Sequence, residues 1–349
     1  MENVLLLAER EAYGGYLHAL VTGAGGFLGQ YIVEQLVARD DRVRAVARSR
    51  YPALDALRVE TIQADIQDAA AVKKACEGID CVFHVAAIAG IWGPWRQFYG
   101  INVVGTQNVI AGCLTANVPR LIYTSSPSVT FGGNDQCGVD EAAPYPARWM
   151  AHYPHTKALA EQAVLAANDH RLATCALRPH LIWGPRDQHL IPRLLERARR
   201  GQLRQVGNGS NRVDAVYVEN AAAAHLLAAD ALRPGTPHAG KAYFISNDEP
   251  VNLWQWINEI LALADLPPVR RRVSYRAAYA AGAALEGLWT LLGRTDEPRM
   301  TRFLAAQLAT SHYFDISAAK RDFGYQPRVS MAEGIEKIKL LLRENAPPY

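Results

Sequence analysis

A glycine-rich turn, placed between a strand pattern and a helix pattern, restricts the folds open to this chain more than any other feature. Apolar residues 19–21 precede the turn, and the apolar residues within 31–37 recur at helical spacing after it. In such a unit the glycines permit a tight turn, a close approach of the backbone to a pyrophosphate, and close packing of helix on strand. Because free N–H groups at a helix N-terminus favour phosphate, the pattern predicts a dinucleotide site rather than an ordinary turn of an α/β protein. The candidate phosphate-binding residues are Gly23, Gly26, Phe27, Leu28 and Gly29.

Length and composition are those of an ordinary globular protein. The 349 residues suggest two domains, or one large α/β domain with an insertion. The net charge of +3 is too small to indicate nucleic-acid binding. The 5 cysteines lack C-x-x-C spacing and are typical of reduced thiols, and no histidine, cysteine or carboxylate cluster predicts a metal site. Residues 1–16 carry acid where a signal peptide needs base, so we expect a cytoplasmic protein with an N-terminal extension.

The residues after the second predicted strand, 43–47, bear on the choice of cofactor. A carboxylate about 20 positions after the glycine turn would accept a hydrogen bond from the ribose 2′-hydroxyl of NAD. Ala47 and Arg48 occupy this place instead. A guanidinium can hold a 2′-phosphate with two hydrogen bonds, so the sequence predicts NADPH as the cofactor. The alternative is that Arg48 and Arg50 are solvated surface charges.

Two further segments are predicted to border the cofactor. Asp65 and Ile66 end the third strand pattern, where Asp65 could meet the adenine amino group or cap the next helix. Ala86 and Ala87 end a continuous apolar run that is typical of a buried parallel strand, and their small size would let the backbone pass close to a cofactor. His84 in that run is predicted to be a packed, hydrogen-bonded core residue rather than a catalyst.

Hydroxyl and amine side chains with the spacing of a proton-transfer site occur in the next strand and helix. The strand pattern 121–126 ends at Ser125 and Ser126, and parallel sheets bind ligands beyond the carboxyl ends of their strands. Tyr153 and Lys157 lie four residues apart and therefore share one helix face. A phenol has a pKa of about 10, and a neighbouring ammonium lowers it by favouring the phenolate. We therefore predict general acid–base chemistry at Tyr153.

Taken together, these motifs resemble those of the extended short-chain dehydrogenase/reductases. The pattern Thr-Gly-x-x-Gly-x-x-Gly over 22–29, Ser126 and the Tyr-x-x-x-Lys motif over 153–157 carry the resemblance. It runs from about residue 17 to near the C-terminus. Within this superfamily, residues 123–129 and 178–185 are similar to the 3β-hydroxysteroid dehydrogenase family.

The resemblance implies roles for individual residues. The catalytic residues that it implies are Ser126, Tyr153 and Lys157. Ser126 rather than Ser125 takes the catalytic position, because it is the last hydroxyl before the strand breaks at a proline. Tyr153 and Lys157 also border the cofactor, and the backbone around Pro179 and Leu181 borders the nicotinamide. Arg48 stands where NADP-preferring members bind the 2′-phosphate.

The resemblance also implies an architecture. The expected fold is α/β: a doubly wound parallel sheet of the Rossmann type that binds NADP over 17–185, with 216–246 returning to it. A smaller, mostly C-terminal α/β domain, comprising 186–215 and 247–349, is expected to bind the substrate. A homodimer formed through the predicted helices at 102–115 and 153–168 would fit the family.

The second half of the chain contains two helix patterns of opposite character. Residues 190–201 are basic and amphipathic, and their arginines are expected on a solvated face. Residues 277–293 are strongly apolar, with Glu286 as the only charge. Their 17 residues fall short of the roughly 20 that an ordinary membrane span needs. A core helix, a wall of an apolar substrate pocket, and a contact with a membrane surface or partner enzyme are the interpretations that remain.

The function predicted from these residues and this resemblance is the NADPH-dependent reduction of a ketone on a hydrophobic substrate. The expected substrate is a long-chain 2-alkyl-3-oxoalkanoate, a β-keto acid, and a hydroxysteroid or sterol is the alternative. A nucleotide-sugar epimerase or dehydratase is disfavoured, because such enzymes usually carry Asn at the place of Leu181 and an acid at the place of Ala47. A non-catalytic nucleotide-sensing protein is disfavoured because Ser126, Tyr153 and Lys157 are all present.

Overall fold

The computed structural model describes residues 16–344, so the predicted N-terminal extension lies almost entirely outside the described residues. The strands are β1 (His18–Thr22), β2 (Arg42–Ala47), β3 (Glu60–Gln63), β4 (Cys81–His84), β5 (Arg120–Thr124), β6 (Gln136–Val139), β7 (Ala173–Pro179), β8 (Ile182–Trp183), β9 (Gln205–Val206), β10 (Arg212–Val213), β11 (Val216–Tyr217), β12 (Lys241–Ile245), β13 (Val251–Asn252), β14 (Arg272–Val273) and β15 (His312–Phe314). The α-helices are α1 (Phe27–Val37), α2 (Pro52–Ala56), α3 (Ala69–Ala75), α4 (Trp95–Phe98), α5 (Gly105–Ala116), α6 (His152–Ala166), α7 (Leu190–Arg199), α8 (Val218–Ala231), α9 (Leu253–Leu263), α10 (Tyr275–Leu291), α11 (Arg302–Ala309), α12 (Ser317–Phe323) and α13 (Met331–Glu344). A π-helix spans Tyr99–Val104, and a 3₁₀-helix spans Pro127–Thr130.

A seven-stranded parallel sheet forms the centre of the molecule, in the order β12-β7-β5-β4-β1-β2-β3. All neighbouring pairs run parallel, and Val21 of β1 lies opposite Ala45 of β2 and Phe83 of β4. The strand order changes direction between β1 and β4, and doubly wound sheets bind ligands at the carboxyl ends of the strands beside this point. The predicted doubly wound parallel sheet is therefore confirmed.

Helices cover both faces of this sheet and bury its apolar side chains. On one face, Ala19 and Val21 of β1 pack with residues of α1 and α8. On the other face, Leu20 of β1 and Val82 of β4 pack with residues of α3, α5 and α6. Successive side chains of a strand point to opposite faces, so consecutive residues of β1 enter different cores. Burial on both faces explains why the central strands are continuous apolar runs.

A separate core is formed mostly by the part of the chain for which the sequence predicts a substrate-binding role, together with Trp183 from the segment predicted to bind NADP. Trp183, Trp254 and Trp256 are buried in it, together with Val213 of β10 and Ile257 of α9. Three small sheets accompany this core: β13-β10-β15-β6, β11-β8 and β14-β9.

The segment 216–246 returns to the central sheet through α8 and β12, and not through β11. β11 is only two residues long, because α8 already begins at Val218. Glu219 lies in the first turn of this helix, where the positive end of the helix dipole stabilises a carboxylate. β11 pairs with β8 and not with the central sheet, so α8 and β12 are the parts of this segment that belong to it.

Helix α10 is not a core helix, which removes one of its three interpretations. Its buried residues are Ala278, Gly282 and Glu286, spaced four apart along one side. The Glu286 carboxylate is neutralised by Arg302, with 2.6 Å between Oε2 and Nε. Within residues 16–344, no helix is both long and apolar enough to cross a membrane.

Candidate active site

The glycine turn forms a cradle that requires glycine at defined positions. Gly23 has a φ of +68°, and a Cβ atom there would lie 2.7 Å from backbone atoms of Ala86. A Cβ atom on Gly29 would lie 2.2 Å from the carbonyl oxygen of Gly23. Gly26 precedes α1, and no side chain caps the first N–H groups of this helix, which begins at Phe27. The uncapped N–H groups at the start of α1 could therefore donate hydrogen bonds to a pyrophosphate.

Arg48 stands at the adenosine end of the predicted cofactor site. It follows β2 directly, it is exposed, and its guanidinium forms no ion pair within the described residues 16–344. Its carbonyl oxygen accepts a hydrogen bond from Gln63 Nε2 at 3.1 Å, which joins the ends of β2 and β3. Arg50 is occupied, since its Nε lies 2.8 Å from Asp55 Oδ2. Of the two arginines, Arg48 is therefore the one available to a phosphate.

The sequence offers Asp65 two roles, contact with the adenine amino group and capping of the next helix. The structure gives the second role to Asp68. Asp68 caps α3, because its Oδ1 accepts hydrogen bonds from the N–H groups of Ala70 and Ala71 at 3.0 and 3.1 Å. Asp65 Oδ1 accepts a hydrogen bond from Gln67 N at 2.8 Å instead. The alternative in which Asp65 caps the next helix is therefore wrong.

The apolar residues predicted to border the cofactor differ in their exposure to solvent. Leu28 and Ile66 are buried and belong to the two cores of the central sheet. Ala86 is half-buried, and its N–H donates to Thr22 Oγ1 at 3.3 Å, which fixes the end of β4 beside the glycine turn. Ala87 is exposed. Ala86 and Ala87 are thus the members of this group that a ligand can reach.

His84 is a core residue, as predicted. Its Nδ1 lies 2.7 Å from Thr22 Oγ1, and its Nε2 lies 2.8 Å from Thr106 Oγ1. Burial lowers the pKa of His84 to about 3, and the charge of Lys157 lowers it further in the same direction. The imidazole is therefore neutral at working pH and holds β4 to β1 and α5.

Ser126 and Tyr153 come together where β5 ends and α6 begins. Burial raises the pKa of Tyr153, and its interaction with the Ser126 hydroxyl lowers it. Ser126 Oγ also lies 2.9 Å from Ser128 Oγ. Ser125 is buried, and its N–H donates to the carbonyl oxygen of Leu177 in β7 at 2.6 Å. Of the two neighbouring serines, Ser126 is therefore the one that interacts with the phenol.

Lys157 is buried and bound to the end of β5. Its Nζ donates to the carbonyl oxygen of Thr124 at 2.5 Å and lies 4.2 Å from the ring centroid of Tyr123. Burial lowers the pKa of Lys157 to about 7, while the carboxylate of Glu161 opposes this shift. The expected lowering of the Tyr153 pKa by this amine is not found, because the amine is directed at Thr124 and burial disfavours its charged form.

The depressed pKa of Lys157 predicts a pH-dependent cost of folding. In the unfolded chain a lysine titrates at about pH 10.4, whereas the pKa in the folded protein is about 7. Between these values the unfolded state binds more protons, so the contribution of Lys157 to the free energy of unfolding rises with pH. The free energy of unfolding of the unmutated protein, relative to that of Lys157→Met, should rise by about 1.4 kcal/mol per pH unit between about pH 7.5 and 9.5. Denaturant unfolding of both proteins measures this difference, and a difference that is constant with pH would contradict the prediction.

A buried ion pair one turn beyond Lys157 was not identified in the sequence. Glu161 accepts hydrogen bonds from Arg178 Nε at 2.9 Å, from Arg178 Nη2 at 2.7 Å and from the Tyr145 hydroxyl at 2.7 Å. Lys157 and Glu161 are four residues apart on α6, which is the spacing of side chains that interact along a helix. This spacing could have pointed to Glu161 in the sequence. The spacing does not reveal its partner Arg178, which lies in β7.

Asn102 is buried and joins two segments of the chain near the candidate site. It lies within the π-helix, and its Oδ1 accepts a hydrogen bond from Ile88 N at 2.8 Å. Its Nδ2 donates to the Ile88 carbonyl oxygen at 3.2 Å and to Thr156 Oγ1 at 3.0 Å. Asn102 thus joins the loop after β4 to the helix that carries Tyr153 and Lys157.

Pro179 and Leu181 lie where β7 turns away from the central sheet. Pro179 ends β7 opposite Ile245 of β12. Leu181 has a φ of +41°, an uncommon conformation for a branched side chain, and it packs on the C-terminal core. Because β7 is the neighbour of β5, this turn lies at the same sheet edge as Ser126.

The fold and these residues define an NAD(P)-dependent oxidoreductase of the extended short-chain dehydrogenase/reductase type. Residues 20–271 match the 3-beta hydroxysteroid dehydrogenase/isomerase family, and the chain belongs to that family.

The similar proteins of known name are reductases and dehydrogenases. The chain is 51% identical to a 2-alkyl-3-oxoalkanoate reductase of Shewanella oneidensis, over 93% of this chain and 86% of that protein. It is 52% identical to a 2-alkyl-3-oxoalkanoate reductase of Stenotrophomonas maltophilia, over 92% of this chain and 98% of that protein. A mouse sterol-4-alpha-carboxylate 3-dehydrogenase, decarboxylating, is 37% identical over 91% of this chain and 88% of that protein.

Two solved structures share the fold of this chain. The crystal structure of gox2253 has a TM-score of 0.75 and 26% identity, covering 94% of this chain and 98% of that one. The structure of MoeE5 in complex with UDP-glucose and NAD has a TM-score of 0.71 and 24% identity, covering 94% of this chain and 99% of that one. At 24% identity, the likeness to MoeE5 concerns the fold alone.

Proposed function

We propose that the protein uses NADPH to reduce the ketone of a long-chain 2-alkyl-3-oxoalkanoate to the 3-hydroxy acid. The observation that carries this proposal is the identity of 51% and 52% to two relatives named 2-alkyl-3-oxoalkanoate reductase, along nearly the whole chain. The sterol dehydrogenase relative is more distant, at 37% identity. The presence of Ser126, Tyr153 and Lys157 supports a catalytic role rather than a nucleotide-sensing one.

The proposed chemistry assigns one task to each of the three side chains. When bound, NADPH supplies the hydride that the carbonyl carbon receives. Tyr153 donates its phenolic proton to the carbonyl oxygen, so that the ketone becomes an alcohol. Ser126 hydrogen-bonds the same oxygen and stabilises the negative charge that develops there. Lys157 holds the nicotinamide ribose through hydrogen bonds that its amine donates.

A small apolar cluster supports a hydrophobic substrate. Phe131 and Phe303 are buried against each other with their rings 5.9 Å apart, and Met150 packs on them. Phe131 directly follows the 3₁₀-helix that Ser126 caps, and Met150 lies three residues before Tyr153. The residues expected to carry the chemistry are therefore next in the chain to apolar side chains that suit an alkyl substrate.

The basic helix gives no support to a nucleotide-sugar substrate. Arg193 and Arg197 of α7 both form ion pairs with Glu297, and their side chains are 40% and 26% exposed, so these two residues lie only partly on the expected solvated face. Their charge is partly neutralised within the protein rather than free for a diphosphate. Leu181 in addition offers no hydrogen-bond donor from its side chain.

The proposed substrate class predicts a dependence on chain length. Each additional buried CH₂ group contributes about 0.8 kcal/mol, so kcat/KM for 2-alkyl-3-oxoalkanoates should rise about fourfold per methylene until the pocket is filled. The measurement is NADPH consumption over a chain-length series, with 3-ketosteroids and UDP-glucose as comparison substrates. A flat series would contradict the alkyl pocket, a preference for ketosteroids would favour the sterol alternative, and turnover of UDP-glucose would favour the epimerase alternative.

The proposed cofactor preference predicts the effect of Arg48→Ala. Loss of a charge-assisted contact should weaken NADPH binding by about 1.5–3 kcal/mol, or roughly 10- to 150-fold, and leave NADH binding nearly unchanged. Arg50→Ala is the matched control, because Arg50 pairs with Asp55 and should affect both cofactors little. Fluorescence titration of both cofactors measures these affinities. Equal affinity of the unmutated protein for NADH and NADPH would overturn the preference.

A further inference from the structure

The alanine-rich helix α8 carries a buried histidine that the proposed reaction does not use. The side chain of His225 is 0% exposed. Its Nδ1 lies 2.7 Å from the carbonyl oxygen of Ala221, one turn earlier in the helix. Its Nε2 lies 2.8 Å from Thr124 Oγ1. Both ring nitrogens therefore have partners, one within α8 and one at the end of β5.

The tautomer of His225 sets the direction of these two hydrogen bonds. A carbonyl oxygen only accepts, so Nδ1 carries the proton that is donated to Ala221. Burial lowers the pKa of His225 to about 4, while its hydrogen bond to Ala221 opposes this shift, so the ring is neutral at working pH. The Nε2 of such a ring can only accept. The Thr124 hydroxyl therefore donates to His225, and this bond holds the Thr124 side chain in one rotamer.

The carbonyl group of Thr124 is the group that binds the Lys157 amine. The N–H of the next residue, Ser125, donates to the carbonyl oxygen of Leu177 in β7. Because the N–H and C=O groups of one peptide unit point in opposite directions, the Thr124 carbonyl faces the other neighbouring strand, β4. The pairing of β5 with β4 ends one residue earlier, at Tyr123. The carbonyl therefore lies beyond the ladder, where Lys157 Nζ donates to it at 2.5 Å.

His225 and Lys157 reach Thr124 from opposite faces of the central sheet. α8, which carries His225, packs on the face that α1 also covers, whereas α6, which carries Lys157, packs on the other face. The Thr124 hydroxyl is thus held from one face, and the Thr124 carbonyl holds the amine on the other. A shift of Thr124 would move the amine relative to a cofactor at this edge of the sheet.

We propose that His225 is a positioning residue for the cofactor: by accepting the Thr124 hydroxyl, it fixes the carbonyl that holds Lys157 at the nicotinamide ribose. The inference rests on the role of Lys157 in the proposed function and extends it to a residue on the opposite face of the sheet. The expected loss is confined to the nicotinamide half of the cofactor, because the adenosine half is expected at Arg48, beyond β2.

The test is a titration of the full chain with two probes. NADPH contains the nicotinamide ribose and adenosine 2′,5′-bisphosphate lacks it; if the unmutated chain prefers NADH, NADH and ADP replace this pair. Thr124→Val and His225→Leu should each weaken NADPH binding about 3- to 10-fold, as expected for one hydrogen bond, and leave the affinity for the bisphosphate unchanged. Thr124→Ser keeps the hydroxyl and His225→Gln keeps an acceptor, so both should restore the affinity for NADPH.

Two matched controls separate positioning from a general loss of packing. Thr174→Val makes the same change in β7, where the buried Thr174 hydroxyl has no hydrogen-bond partner among the residues that the structure describes. His238→Leu removes another buried histidine, whose Nε2 lies 3.2 Å from the carbonyl oxygen of Ala228 in α8. Neither residue bonds to Thr124, so neither change should alter the ratio of the two affinities.

Each outcome decides for or against the proposal. Thr124→Val combined with His225→Leu should bind NADPH no more weakly than either single variant, because both remove the same hydrogen bond. NADPH affinity that neither single variant changes would overturn the inference and leave the proposed function intact. A parallel loss for both probes, or additive losses in the double variant, would also overturn it, because His225 would then act through packing. A chain that binds neither NADPH nor NADH would contradict the proposed function, and this inference with it.

Discussion

Replacing Tyr153 by phenylalanine is expected to lower kcat by about 10²- to 10⁴-fold, which is the range that a positioned general acid contributes. The substitution removes the proton donor and keeps the ring, which is half-buried near the start of α6. Cofactor affinity should stay nearly unchanged, because Lys157 is left in place. Single-turnover reduction of a long-chain β-keto acid and a titration of NADPH binding measure the two effects separately.

Tyr145→Phe is the matched control for this experiment, because it also removes one phenolic hydroxyl near α6. The Tyr145 hydroxyl donates to Glu161 at 2.7 Å, so its loss should reduce the free energy of unfolding by about 1.5–3 kcal/mol and leave kcat nearly unchanged. If Tyr153→Phe retained most of its kcat, another residue would have to supply the proton. His155, which stacks on Trp149 with 5.2 Å between ring centroids, would then be the next candidate.

The central sheet and the cofactor cradle could be predicted because their constraints are local. The φ of +68° at Gly23 and the tight contact at Gly29 follow from a turn that any strand–glycine–helix unit of this spacing must make. Tyr153 and Lys157 share a helix face for the same kind of reason, since four residues make about one helical turn. His84 could be assigned to the core because it lies inside a continuous apolar run.

The features that could not be predicted depend on partners far apart in the chain. The role of Asn102 depends on the contacts of its amide with Ile88, 14 residues earlier, and with Thr156, 54 residues later. The effect of Lys157 on Tyr153 was predicted from spacing, whereas the pKa of Lys157 depends on burial, which spacing does not reveal. The apolar pattern of α10 likewise could not show which side other helices cover.

Arg178→Met is expected to lower the free energy of unfolding by about 3–5 kcal/mol, because it removes one partner of a buried ion pair. The side chains of Arg178 and Glu161 are 4% and 0% exposed, and hydrogen bonds of 2.9 and 2.7 Å join them. Without the guanidinium, Glu161 keeps the Tyr145 hydroxyl but loses its counter-charge. Urea unfolding at neutral pH measures the loss.

Two companion variants decide whether the uncompensated charge causes this loss. Arg171→Met breaks an exposed pair with Asp169, whose side chains are 62% and 36% exposed, and should cost less than about 1 kcal/mol. Arg178→Met combined with Glu161→Gln removes both charges and should be more stable than Arg178→Met alone, because no uncompensated carboxylate stays buried. If this double variant were as unstable as Arg178→Met alone, the loss would come from packing and not from the uncompensated charge. Equal losses for Arg178→Met and Arg171→Met would instead show that burial adds nothing to the contribution of the Arg178–Glu161 pair.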